Sequence, residues 1–122
     1  MTQGLILTSP EERLDGIVFD PRIEYEREIN VGIYTCPHCD GKVRFTTRDF
    51  QRHFQSRSSS FMPEDLASFD QFRPLDKKEG EQFLDFYCPG CRSPVRVIYR
   101  SSEFAMGSYY FTVVIVIEAA KT

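Results

Sequence analysis

YTCPHCDGKVRFTTR (residues 34–48) returns further along the chain as FYCPGCRSPVRVIYR (residues 86–100). The shared positions are Cys36/Cys88, Pro37/Pro89, Cys39/Cys91, Val43/Val95, Arg44/Arg96 and Arg48/Arg100. Each copy reads as a strand, a C-P-x-C turn and a second strand, so the chain repeats one small unit. Taken alone, Cys36-Pro37-His38-Cys39 would suit a redox dithiol. Such a dithiol needs its first cysteine at the start of a helix, whose dipole lowers the thiol pKa. Here the turn runs into Asp40-Gly41, a hairpin signal, and then into the strand-like KVRFT. The two C-x-x-C pairs instead match four thiolates around one metal ion. Cys36, Cys39, Cys88 and Cys91 are thus the expected ligands of one structural Zn²⁺. The spacer between the pairs is long, but the entropy of closing a loop grows only with the logarithm of its length.

Two C-P-x-C turns of this kind resemble the zinc-ribbon (rubredoxin-like) superfamily, with the likeness running from about 34 to 118. The resemblance implies two knuckles facing each other across one metal, with Pro37 and Pro89 shaping the turns. It implies nothing definite about activity. The chain departs from the pattern at two places. Gly41 follows the first knuckle, whereas Ser93 and Pro94 follow the second, and the insert between the knuckles exceeds that of minimal ribbons.

A length of 122 residues, 41% of them hydrophobic and 14% aromatic, fits one folded domain with a modest core. No continuous apolar run reaches the roughly 18 residues of a membrane helix. The start, MTQGLILTSPEERLDG, lacks the basic region and apolar stretch of a signal peptide. A cytoplasmic location is therefore expected, where thiols stay reduced and cysteines serve metals before disulfides.

The remaining elements follow from periodicity. Residues 1–20 form an extension with a helix start at Ser9-Pro10-Glu11-Glu12, a turn at Asp15-Gly16 and a short strand from Ile17 to Phe19. From Ile23 to Ile33 apolar and polar residues alternate, which predicts a long strand entering Cys36. Residues 83–87, FLDFY, predict the strand entering Cys88. PVRVIYR and YYFTVVIVIEA predict two more, the last apolar on both faces and so covered on both. Residues 48–80 read as a helical insert. Phe50 and Phe54 mark one short helix, and MPEDLASFDQF predicts another that starts at Pro63. The expected fold is α+β: an antiparallel β-sheet built on a four-cysteine zinc ribbon, with a short helical insert between the knuckles.

Charge is distributed unevenly. Residues 1–34 hold three Lys/Arg against seven Asp/Glu, and 61–86 again three against seven, whereas 35–60 hold five against two and 87–122 four against two. The acidic segments predict a protein-binding surface at Glu24, Glu26, Glu28, Asp65 and Asp70, since acidic patches attract basic partners. An inhibitor or immunity protein that neutralises a toxin or enzyme domain fits this size and charge. The alternative is a nucleic-acid-binding ribbon in transcription or translation, using Arg44, Arg48, Arg52, Arg96 and Arg100. A net charge of −3 and a pI near 5.4 weigh against that alternative. Catalysis is not expected. Four thiolates leave a metal no open position to activate water, and no phosphate loop, nucleophile elbow or H-E-x-x-H is present. His38 is expected to face solvent, and His53 to lie on the short helix beside Phe54.

Overall fold

The structure, a computed structural model, describes residues 4–15, 31–46, 59–105 and 108–120. Expectations for the strand Ile17–Phe19, for residues 23–30 and for the helix around Phe50 and Phe54 lie outside these residues. The described elements run β1 (Leu5–Thr8), α1 (Pro10–Arg13), β2 (Leu14–Asp15), β3 (Val31–Thr35), β4 (Lys42–Thr46), α2 (Pro63–Phe72), a single 3₁₀ turn (Lys77–Glu79), β5 (Glu81–Tyr87), β6 (Pro94–Ala105) and β7 (Ser108–Ala119). The architecture is mixed, mostly antiparallel strand with little helix. One sheet has four strands in the order β1-β7-β6-β5, and the other has three in the order β2-β3-β4. All pairings are antiparallel.

Alternation along β5, β6 and β7 sends side chains to two covered faces. Val95, Val97, Tyr99 and Val116 meet Leu14, Tyr34 and Cys36 of the smaller sheet and its turn. Ile98 and Ile117 face the other way, onto Phe61 and Phe69. The long apolar run near the C-terminus is therefore a strand covered on both sides, as its composition predicts. It lies between β1 and β6, which satisfies its backbone on both edges.

Helix α2 starts where Pro63 predicts. Proline needs no N–H partner at the first helical position, and Glu64 and Asp65 sit favourably at the positive end of the dipole. No side chain caps it. Tyr87 takes over the anchoring: its hydroxyl donates to Asp65 Oδ2 and accepts from the Met62 N–H at 2.9 Å, which ties the helix start to β5. Phe61 packs on Phe69 with ring centroids 4.7 Å apart. Strands β1 and β2 carry no signal in the sequence reading. Four and two residues long, they form because β7 and β3 offer unpaired edges.

Both faces of the central sheet bury a charge. On the helix side Arg96 is wholly buried. Its Nε and Nη2 donate to Asp85 at 2.7 and 2.9 Å, and its Nη1 donates to Asp70 at 2.6 Å. The guanidinium also lies 4.6 Å from the Phe83 ring centroid, within cation–π range. On the opposite face Glu118 accepts from Thr8 Oγ1 (2.8 Å), Arg13 Nε (2.6 Å) and Tyr34 Oη (2.6 Å), joining β1, α1 and β3 to β7. A third buried acid, Glu81, takes both terminal nitrogens of Arg73 and the Asp76 N–H.

These networks generate two predictions. Asp85 exposes none of its side chain, so Arg96→Met should cost about 3–5 kcal/mol by leaving that carboxylate unpaired. Adding Asp85→Leu should restore much of the loss, as read by urea unfolding. The paired Arg73 holds the Glu81 carboxyl below its usual range. The stability this supplies is present above the ordinary glutamate pKa of about 4.3 and is lost as pH falls through the lower folded-state value. Glu81→Gln should therefore destabilise by about 1.5–3 kcal/mol at neutral pH, and the gap to wild type should close in strong acid.

Candidate metal centre

The two C-P-x-C turns of the sequence repeat have the same backbone. Strand β3 delivers Cys36, whose N–H donates to Gly41 O at 2.8 Å while its carbonyl accepts from Asp40 N at 3.0 Å. Strand β5 delivers Cys88, whose N–H donates to Ser93 O at 2.8 Å while its carbonyl accepts from Arg92 N at 2.8 Å. The residue after the second cysteine of each turn is left-handed, Asp40 at φ 60° and Arg92 at φ 66°. Aspartate tolerates that conformation better than arginine does. A tight turn of this kind directs both cysteine side chains to one side and aims backbone amides at the sulfurs. His38 N lies 3.4 Å from Cys36 Sγ, and Gly41 N lies 3.3 Å from Cys39 Sγ.

The turns meet between the sheets. All four sulfurs lie within 4.8 Å of one another. Cys36 Sγ is 3.6 Å from Cys91 Sγ, and Cys39 Sγ is 3.5 Å from Cys88 Sγ. Four ligands at about 2.3 Å from a tetrahedral ion would stand roughly 3.8 Å apart, whereas a disulfide requires about 2.05 Å. The cysteines are free thiols, and the set can hold one metal ion. Cys36 and Cys88 are core residues, packed with Tyr34, Val95 and Val97. Burial pushes the Cys36 thiol up to about 12. Hydrogen bonds from the Ser93 side chain and backbone draw Cys91 down to about 6. Ionising the buried Cys36 thiol needs a cation beside it, so metal uptake should release protons and strengthen as pH rises.

Two glycines make the convergence possible. A Cβ at Gly90 would stand 2.7 Å from Cys39 Sγ, and one at Gly41 would stand 3.1 and 3.2 Å from the sulfurs of Cys39 and Cys88. Gly41 thus serves close approach; the left-handed φ of this turn falls on Asp40. Gly90 escaped the sequence reading because its role depends on a sulfur from the other turn. Its counterpart His38 was expected to face solvent. Instead it is half-buried, and its Nε2 lies 2.9 Å from the Ala119 carbonyl, to which it donates, pinning the first turn to the end of β7. Tyr34 and Glu118 were missed for the same reason. Their bond joins two sheets and leaves no local pattern, although a lone acid ending the VVIVIEA run is a faint signal.

The other candidates separate. Arg96 was expected on an exposed basic face; that placement is corrected, because α2 covers its side of β6 and Asp85 and Asp70 pair with it. Arg44 and Arg100 are exposed. Asp65 accepts the Tyr87 hydroxyl, and Asp70 binds Arg96 while keeping 56% of its side chain exposed. Glu24, Glu26, Glu28, Arg48, Arg52 and His53 lie outside the described residues. No helix among the described residues is long and apolar enough to cross a membrane. No protein-family model matches the chain, and no curated protein or solved structure matches it significantly.

Gly90→Ala should expel Cys39 Sγ from the set while leaving all four ligands in the chain. Its metal affinity should fall by at least tenfold in a competition titration against a chromogenic chelator. Cys88→Ser should lower both metal content and the thermal midpoint. A Gly90→Ala protein with wild-type affinity would refute the crowding.

Proposed function

We propose that this chain is a non-catalytic, zinc-stabilised module of the zinc-ribbon type that acts by binding another protein. The observation that carries the first half is the convergence of four thiols on one point. Thiolates at every corner of a tetrahedron favour zinc and leave no corner for water or substrate. Cys36, Cys39, Cys88 and Cys91 would hold the ion, and its binding energy would belong to folding. The ion would supply a crosslink between the β3–β4 and β5–β6 hairpins, which belong to different sheets.

Protein recognition is preferred over nucleic acid on charge. The nucleic-acid reading needs a continuous arginine face, and burial of Arg96 removes a member from its middle. The chain is acidic overall, and residues 61–86 carry exposed Glu64, Asp76 and Glu79 around α2. Such a surface would speed encounter with a basic partner. An inhibitor or immunity protein that neutralises a basic toxin or enzyme domain is the version we favour, with Glu24, Glu26, Glu28 and the acidic residues around α2 as its contact surface.

A tagged pull-down from native lysate, with and without nuclease, tests this reading. One dominant protein that survives nuclease, and is lost when Glu24, Glu26 and Glu28 are changed to Lys, is the expected result. Capture that disappears with nuclease and with Arg44→Glu/Arg100→Glu would replace it with the nucleic-acid reading.

A further inference from the structure

The four sulfurs are of two kinds. Cys36 and Cys88 belong to the core and expose nothing, whereas Cys39 and Cys91 reach solvent. Each accessible sulfur touches a buried one of the opposite turn, Cys91 with Cys36 at 3.6 Å and Cys39 with Cys88 at 3.5 Å. An approach of roughly 1.5 Å would bring either pair to the length of a disulfide bond. Each contact thus joins a sulfur that an oxidant can reach to one that it cannot.

Resting on the four-thiolate metal reading, we propose that Cys39 and Cys91 form an oxidant-facing modification site, at which a peroxide exchanges the metal for the disulfides Cys36–Cys91 and Cys39–Cys88. The accessible thiolate attacks one peroxide oxygen; an S–O bond forms, the O–O bond breaks and hydroxide leaves, giving a sulfenic acid. The buried thiolate of the opposite turn then attacks that sulfur. The S–S bond forms, the S–O bond breaks and a second hydroxide leaves. Two thiolates lose two electrons in all, and the peroxide takes them and two protons to become two waters. A second peroxide oxidises the second pair. Disulfide sulfur is a poor ligand, so Cys36, Cys39, Cys88 and Cys91 would no longer hold an ion, which would be released to water.

Pairing across the turns decides the consequence. A disulfide within one turn would leave the β3–β4 and β5–β6 hairpins with no covalent crosslink, held together by packing and hydrogen bonds alone. A disulfide between turns replaces the metal crosslink with a covalent one, so the chain loses its ion and keeps its fold. Tyr34 and Tyr99, both buried, report on that packing.

The test uses the full chain loaded with zinc and treated with hydrogen peroxide in slight molar excess over the thiol pairs. Released zinc is followed with a chromogenic chelator, folding by near-ultraviolet circular dichroism, and pairing by alkylation and tandem mass spectrometry. The expected result is one zinc released per two disulfides, the pairs Cys36–Cys91 and Cys39–Cys88, a retained tyrosine signal, and recovery of zinc binding after dithiothreitol. Any other pairing, loss of the tyrosine signal, or zinc retained with four alkylatable thiols would overturn the proposal. If the chain takes up no zinc, the metal reading fails by itself, and mapping on the metal-free chain still decides the pairing.

Discussion

Four sulfur atoms within 4.8 Å of one another hold the place where the two sheets come together. Each turn alone is a local structure closed by two backbone hydrogen bonds. Its cysteines gain a role only when the other turn is present, because a buried thiol such as Cys36 is hard to ionise without a cation. The inner cysteines are also core residues. A metal held by this set and the apolar packing would therefore act on the same atoms.

The central sheet adds a second constraint. With Val95, Val97 and Tyr99 on one face and Arg96 and Ile98 on the other, β6 has no side open to solvent along this stretch. Each face thus carries a charge that must be matched internally: Arg96 by Asp85 and Asp70, Glu118 by Arg13, Thr8 and Tyr34. Such networks are costly when half-satisfied, so they discriminate between correct and shifted packing of α2 and of the smaller sheet. Glu118 and His38 both attach the first turn's neighbourhood to the end of β7, one through Tyr34 and the other through the Ala119 carbonyl. The four-cysteine cluster is in this way held by the large sheet from two directions.

Much of the candidate site was legible because its information is local. C-P-x-C spacing, the repeat around it and the strand alternation on either side depend on residues a few positions apart. Strands β4, β5 and β7 and helix α2 lie close to where periodicity, Asp40-Gly41 and Pro63 place them. Strands β1 and β2 were not legible, since they exist through the edges they pair with. Gly90 was not legible either, because the atom that forbids a side chain there belongs to Cys39 of the other turn.

The repeat separates the two sources of information. Val43 and Val95 occupy the same slot, and both turn toward the shared core; Arg44 and Arg96 occupy the next slot and part company. Sequence by itself determined the four thiols, the two turns and the alternation that puts valine on one side of each strand and arginine on the other. Only the tertiary structure decided that the arginine side of β6 would be roofed by α2 while Arg44 on β4 stays exposed. An arginine left in water needs no partner, whereas one covered by a helix must find carboxylates; Asp85 stands directly across from Arg96 on the paired strand β5, and Asp70 comes from α2 itself.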